Sequence, residues 1–182
     1  GAAVARAAAD GYSTPEQPRY VLGSIGPGTK LPTLGHIHYT TLREAYHENA
    51  AGLILGGADA LIVETCQDLL QTKAAVVGSH RAMAEVGRTV PIICHVTVET
   101  TGTMLLGSEI GAALTALEPL GIDLIGLNCA TGPAEMTEHL RYLSQSATVP
   151  VSVMPNAGLP VLAAGGAYYP LTPDELAEAA LA

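Results

Sequence analysis

Short apolar runs alternate along the chain with longer stretches in which apolar residues recur three or four positions apart. The runs predict strands at 20–25, 60–65, 91–97, 122–128 and 149–154. The stretches between them have the spacing of helices with one buried face. They predict helices at 42–53, 69–86, 109–119, from Pro133 and from Pro173, with 3–9 as the tail of an earlier helix. Regular alternation of near-continuous apolar strands with helices predicts βαβ units and a parallel sheet.

Several helix starts have local signals. Thr41 and Glu44 have the spacing of a capping box, and Ser108 is placed to cap the helix at 109–119. Pro133 suits the first position of a helix, where its missing N–H costs nothing. Thr172 and Glu175 predict a second capping box at the start of the last helix.

Two architectures fit this order of elements, a doubly wound open sheet and a (β/α)8 barrel. The doubly wound sheet would concentrate polar site residues at one switch point. Instead, polar residues follow almost every predicted strand, at 64–65, 97–99, 128–129 and 156. A distribution around the carboxyl-terminal rim is typical of a barrel. The glycine-rich segment 23–29 lacks the G-x-G-x-x-G spacing and leads into a loop, so it does not indicate a dinucleotide site.

The length of the chain limits how much of a barrel it can form. A complete barrel typically needs about 250 residues, whereas this chain has 182. We therefore expect an α/β fold, an incomplete (β/α)8 barrel with about five parallel strands and intervening helices. It would occupy 1–182 as one partial domain that lacks the first strands and the last strand. Two unpaired sheet edges would favour self-association.

Composition excludes several other classes of protein. Hydrophobic residues make up 48% of the chain and charged residues 14%, with no Trp or Phe, which indicates a globular fold with an aliphatic core. The net charge of −9 and the absence of a basic stripe argue against nucleic-acid binding. No apolar run reaches the roughly 18 residues of a membrane span. The odd number of cysteines, three, argues against a disulfide framework and for a reducing compartment, the cytoplasm.

Four residues at strand ends are candidates for a functional site. The thiol of Cys129 could be a zinc ligand, a nucleophile or a buried structural group, and Asn128 beside it could orient a polar substrate or cap the loop. Glu64 ends an otherwise apolar strand, where it could hold an ammonium group or accept hydrogen bonds from loop amides. Asn156 lies in Asn-Ala-Gly, which locally predicts a turn.

Two histidine-containing pairs are weaker candidates. His36 and His38 have a spacing that can bind a metal, but they lie in a loop without a matching acidic residue nearby. Cys94 and His95 are consecutive within a strand, so one should face the barrel interior and the other the helices. Core packing is the favoured interpretation of that pair.

Four segments in order carry a resemblance to a known family: "VLGSIGPGTKLPTLG", "IVETCQDLLQTKAA", "GLNCATGPAEM" and "VMPNAGLP". The chain resembles the homocysteine S-methyltransferase family, and most of all the homocysteine-binding barrel of its cobalamin-dependent members. The resemblance implies zinc at the carboxyl-terminal face of the barrel, bound by three cysteines. Cys129 matches one of them. The other two belong to a Gly-Gly-Cys-Cys motif that this sequence does not contain, and the family's opening Asp-Gly-x-x-Gly-Thr motif is also absent.

The resemblance also implies a reaction. Glu64, Asn128 and Asn156 match residues that line the homocysteine site, with Glu64 holding the amino group. Methylcobalamin, carried with the folate on other modules of the intact protein, would methylate the zinc-bound thiolate of homocysteine and give methionine. The isolated chain would be inactive and hold no ordered zinc. The alternatives are a homocysteine methyltransferase with another methyl donor and a catalytically inert, oligomerising fragment.

Overall fold

The computed structural model describes residues 1–181 and contains one five-stranded parallel sheet. Its strands follow one another in sequence order across the sheet. They are β1 (Leu22–Ile25), β2 (Ala60–Cys66), β3 (Ile92–Val96), β4 (Leu124–Asn128) and β5 (Val151–Met154). The five strands and the parallel sheet predicted from the sequence are confirmed.

Six helices accompany the strands, with two short 3-10 turns at Pro32–Leu34 and Glu118–Leu120. The helices are α1 (Ala2–Tyr12), α2 (Tyr39–Leu55), α3 (Leu69–Val86), α4 (Ile110–Leu117), α5 (Pro133–Ser146) and α6 (Pro173–Leu181). From α2 to α5, each helix packs against the next one. Right-handed crossovers that always advance in one direction place their helices on the same face of the sheet. A doubly wound sheet would reverse its order and cover both faces, so the fold is part of a barrel.

The two faces of the sheet have different roles. Side chains on the outer face, such as Val63, Cys94 and Leu127, are fully buried in an aliphatic core beneath the helices. Strand residues alternate between faces, and the register assigns the others to what we call the inner face, the side away from the helices. That face carries Leu22, Ser24, Ile62, Glu64, His95, Gly126, Asn128, Ser152 and Met154. The predicted division of Cys94 and His95 between the two faces is confirmed.

The predicted capping box at Thr41 and Glu44 is wrong. Helix α2 begins at Tyr39, directly after His38, so Thr41 lies inside the helix. The Glu44 carboxylate instead forms ion pairs with Arg43, at 2.7 Å, and with Arg81 on α3. Competition from these charged partners replaces the local bond that a capping box would need.

At the other helix starts the outcome is divided. Glu109, not Ser108, directly precedes α4. The capping box before α6 is confirmed: the Glu175 N–H donates to Thr172 Oγ1 at 3.3 Å, and the Thr172 N–H donates to Glu175 Oε2 at 2.8 Å. Asp68 caps α3 by accepting the Leu70 N–H at 2.8 Å, which the sequence analysis did not predict.

An antiparallel hairpin after β5 was also not predicted. It pairs β6 (Val161–Ala163) with β7 (Gly166–Tyr168), and its residues are exposed. Its base is closed by a hydrogen bond from the Leu171 N–H to the Ala157 carbonyl at 3.3 Å. Among residues 1–181, no helix has the length and apolar character needed to cross a membrane.

Candidate substrate and metal site

The carboxyl-terminal ends of β2 to β5 meet at one rim of the sheet, because the strands are parallel. Glu64 lies near the end of β2 and Asn128 at the end of β4, both on the inner face. Cys129 follows Asn128 directly, and Asn156 follows β5. The fold thus brings all four candidate residues to the same rim, where their roles in binding stay predictions.

Three strand ends are tied together at this rim by Thr65, Thr97 and Asn128, which we call the rim clasp. The Asn128 side chain reaches across the end of β3: its Oδ1 accepts the Thr65 N–H at 2.9 Å and its Nδ2 donates to Thr65 Oγ1 at 2.8 Å. Thr97, directly after β3, donates its N–H to the Cys66 carbonyl at 2.9 Å and its Oγ1–H to the Asn128 carbonyl at 3.0 Å. The clasp therefore fixes the ends of β2 and β4 relative to each other.

Backbone strain is concentrated at the same place. Within residues 1–181, the non-glycine residues with positive φ are Thr65 at 60°, Cys129 at 62° and Ala130 at 59°. This conformation is uncommon outside glycine and is a clear outlier for a β-branched residue such as threonine. Strained backbone persists only where surrounding contacts over-determine it, and it clusters at functional sites. Here the contacts are the hydrogen bonds of the rim clasp.

Cys129 differs from the other two cysteines in its surroundings. Cys66 and Cys94 are buried in the core, and burial raises the pKa of the Cys66 thiol to about 12 and that of Cys94 well above its usual value. Both are therefore inert thiols. Cys129 is partly exposed at the rim, and its N–H donates to the Met154 carbonyl at 3.2 Å. It is the one cysteine of the chain that an external ligand could reach.

Within the described residues, this thiol stands without a full set of metal ligands. No group of three or more His, Cys, Asp or Glu side chains in residues 1–181 is placed to hold a metal ion. Cys129 suits zinc by its chemistry, as a single donor, but a zinc centre needs three or four protein ligands. His36 and His38 do not complete one either: His36 Nδ1 accepts the Leu31 N–H at 3.4 Å within its own loop.

Glu64 presents a half-buried carboxylate to the inner face, next to the clasp. Its Oε1 accepts a hydrogen bond from the Ser24 hydroxyl of β1 at 2.6 Å. An ionised carboxylate has about four acceptor positions on its two oxygens. The bond to Ser24 therefore orients the group and leaves capacity for a ligand that carries an ammonium group.

Comparison with known proteins identifies the family. The model of the family described as "Homocysteine S-methyltransferase" matches residues 1–182. This chain belongs to the homocysteine S-methyltransferase family. It is 72% identical over 179 residues to the methionine synthases of Mycobacterium tuberculosis and Mycobacterium leprae, and each alignment covers 98% of this chain. The chain spans only 15% of the length of these relatives.

Solved structures confirm the fold of this homocysteine S-methyltransferase family member. The apo form of the homocysteine methyltransferase MmuM from Escherichia coli superposes with a TM-score of 0.70 at 21% identity, covering 85% of this chain and 57% of that one. The metallated form of MmuM gives 0.62 at 20% identity, covering 85% and 55%. Identities this low show the shared barrel fold alone.

The loop that carries Asn156 is attached to the loop that carries Cys129. The Asn156 N–H donates to the Thr131 carbonyl at 3.0 Å, and the Thr131 N–H donates to the Cys129 carbonyl at 2.7 Å. These bonds hold the ends of β4 and β5 together. They are compatible both with a turn role for Asn156 and with the substrate-lining role that the family resemblance implies.

A polar pair on the inner face lies below the rim. The Nε2 of His95, a residue only 1% exposed, is 2.5 Å from the Ser152 hydroxyl of β5, and its Nδ1 has no partner among the described residues. The pair spans Gly126 of β4, which lies between the two residues in the register. Burial lowers the pKa of His95, and the charge of Glu64 opposes that shift only in part. Burial thus favours the uncharged form of the His95 ring.

Several parts of this site were not predicted from the sequence: Ser24, Thr65, Thr97 and the His95–Ser152 pair. Thr65 and Thr97 did stand in the polar ends noted after the strands, which was the available signal. Nothing local in the sequence showed that Thr65 adopts positive φ or that Asn128 reaches across β3 to bond it.

Proposed function

We propose that this chain forms part of the homocysteine-binding barrel of a methionine synthase. The longer protein would transfer a methyl group from methylcobalamin to the thiolate of homocysteine and release methionine. The observation that carries the proposal is the strained rim, which presents the partly exposed Cys129 thiol on the clasped end of β4, on the same rim as the Glu64 carboxylate. The 72% identity to two methionine synthases supports it.

In this proposal Cys129 supplies one zinc ligand and residues outside the described part of the chain supply the others. Zinc bound there would hold the sulfur of homocysteine as a thiolate, which is the nucleophilic form of a thiol. The cobalamin and the methyltetrahydrofolate that recharges it would bind to other modules of the longer protein. We also propose a reducing, cytoplasmic location, which suits three free cysteines.

The residues of this chain would mainly bind and orient the substrate. The Glu64 carboxylate, positioned by the Ser24 hydroxyl, would accept hydrogen bonds from the substrate's ammonium group. Asn128 would shape the pocket wall, since both ends of its amide are already bonded to Thr65. Asn156 would complete the wall from the loop after β5.

Replacing Glu64 with glutamine in the longer protein tests the substrate assignment. Loss of a charge-assisted hydrogen bond to an ammonium group should raise the Kd for homocysteine roughly ten- to a hundred-fold. Zinc content should not change, because Glu64 is not a zinc ligand in this proposal. Titration calorimetry with homocysteine, alongside metal analysis, measures both quantities.

The matched control for this test is Glu99→Gln. Glu99 is another carboxylate near the rim, where its Oε1 accepts a hydrogen bond from Gln67 at 3.1 Å. The Glu99→Gln variant should leave homocysteine affinity close to that of the wild type. An unchanged Kd in Glu64→Gln, or an equal loss of homocysteine affinity in both variants, would mean that Glu64 only stabilises the loops and does not bind the substrate.

We further propose that the 182-residue chain self-associates in solution. Its sheet has two edges, β1 and β5, and Leu22 and Met154 near those edges are about half exposed. Unpaired strand edges next to apolar surface pair readily with other chains. Light scattering over a range of concentrations should therefore report a mass above that of a monomer.

A lysine on the β1 edge should reduce this association. Leu22→Lys places a charge on the exposed edge, whereas Leu105→Lys makes the same change at a similarly exposed leucine in the loop after β3, the middle strand of the sheet. We expect the first variant to move towards the monomer and the second to behave as the wild type. A sharp monomeric mass for the wild type at high concentration would contradict the proposal.

A further inference from the structure

The rim clasp lies between the two residues that the proposed function assigns to opposite ends of the substrate. Glu64, which would hold the ammonium group, directly precedes Thr65 on β2. Cys129, on the side of the sulfur, directly follows Asn128 on β4. The clasp bonds join Thr65 to Asn128 across the end of β3. Whatever fixes these two residues therefore also fixes the spacing of the two binding ends.

We propose that the rim clasp determines specificity, by holding Glu64 and Cys129 at the separation that fits a γ-thiol amino acid and not a β-thiol amino acid. This inference rests on the proposed function. Homocysteine carries one methylene more than cysteine between its sulfur and its α-carbon. A shorter amino thiol could reach only one end of a site whose two ends do not move. A loosened rim would let the ends approach each other and accept the shorter molecule.

The geometry of the clasp supports this role. Four hydrogen bonds of 2.8–3.0 Å connect the ends of three strands: two between Asn128 and Thr65, one from Thr97 to each of the two flanking strands. Thr97 is 2% exposed and Asn128 6%, so these bonds are shielded from water. They also hold Thr65 in a conformation that costs free energy.

Selection against one methylene is within the reach of a rigid site. A single extra or missing methylene changes affinity by roughly 10- to 200-fold. Residues that orient a metal ligand typically contribute roughly 10- to 100-fold to metal affinity or activity. We therefore expect the clasp to contribute a factor of about ten to the preference for homocysteine over cysteine, measured as the ratio of the cysteine Kd to the homocysteine Kd.

The experiment compares two dissociation constants in the zinc-loaded longer protein, one for homocysteine and one for cysteine. Thr97→Val removes the hydroxyl but keeps the shape of the side chain. It should raise the Kd for homocysteine and lower that for cysteine, so that the ratio of the cysteine Kd to the homocysteine Kd falls about tenfold. Thr97→Ser retains the hydroxyl and should restore most of the ratio.

Thr65→Gly separates specificity from stability. Glycine adopts positive φ without strain, and this relief offsets part of the stability lost with the hydrogen bond to Thr65 Oγ1, so this variant should lose little stability. Thr65→Gly also removes the Oγ1 acceptor of the Asn128 amide, so its ratio of the cysteine Kd to the homocysteine Kd should fall as well. If the clasp had only a structural role, the ratio of the two Kd values would fall only in variants that also lose stability.

Thr72→Val is the matched control, because Thr72 is a buried threonine whose hydroxyl donates to the Asp68 carbonyl at 2.8 Å at the start of α3. It should leave the ratio unchanged. Parallel losses of both ligands in Thr97→Val, or an unchanged ratio in Thr65→Gly, would overturn the inference while homocysteine binding by the wild type still upheld the proposed function. A wild type that binds no homocysteine would overturn both.

Discussion

Replacing Cys129 with serine in the longer protein should remove most of the bound zinc and nearly all methyl transfer. A serine hydroxyl stays protonated near neutral pH and binds zinc poorly, whereas zinc deprotonates a thiol outright. Removing a residue that only orients a metal ligand already lowers metal affinity or activity roughly 10- to 100-fold. Removing a ligand itself should therefore lower them more than about 100-fold. The fold should survive, because Cys129 lies partly exposed at the rim and the change removes little volume.

Cys66→Ser is the control for this experiment. Cys66 is buried on β2, where a hydroxyl would lose water without a guaranteed partner, at a cost of about 1–3 kcal/mol. That variant should lose stability and retain zinc. The pattern for Cys129→Ser should be the reverse, with a normal circular dichroism spectrum and little metal. Full zinc occupancy with normal turnover in Cys129→Ser would make Cys129 a structural cysteine and remove the main support for the proposed function.

The parallel sheet could be predicted from the sequence because its signals are local. Strands β1 to β4 are short runs that are buried on the outer face, as in "ALIVETC" of β2, and each is followed by a helix long enough to cross back. Rules of handedness then fix the topology. The hairpin at 161–168 was missed because its strands have three residues each and are exposed. They have no buried face to produce an alternating pattern.

The candidate site could be predicted only in part. Polar residues after strands indicated the rim, and the resemblance to the family singled out Glu64, Asn128, Cys129 and Asn156. The contacts that organise the rim join residues far apart in the chain: 63 positions separate Thr65 from Asn128, and 57 separate His95 from Ser152. Such pairings depend on the register of the sheet, and no local pattern encodes them. The wrong prediction of a cap at Thr41 also results from a contact between distant residues, because the carboxylate of Glu44 forms an ion pair with Arg81 of α3.

Gly126→Ala should be among the most destabilising small substitutions in this chain. A Cβ at this position would overlap the Ser152 carbonyl oxygen and lie 2.8 Å from the carbonyl carbon and 2.9 Å from Cδ2 of His95. Two of these atoms are backbone of the neighbouring strand, which can move only by separating β5 from β4. We expect a loss of about 3 kcal/mol in the free energy of unfolding, the upper end of the usual cost of overpacking.

Urea unfolding measures this effect, and Gly52→Ala is the matched control. Gly52 lies inside α2 with open space around its Cα, so alanine there should raise stability by about 0.5–1 kcal/mol through helix propensity. The same chemical change should therefore have opposite signs at the two sites. Because the His95–Ser152 bond passes over Gly126, the added methyl group should also push that bond apart and disturb the rim just above it. An unchanged unfolding midpoint in Gly126→Ala would mean that β4 and β5 are not packed as closely as described here.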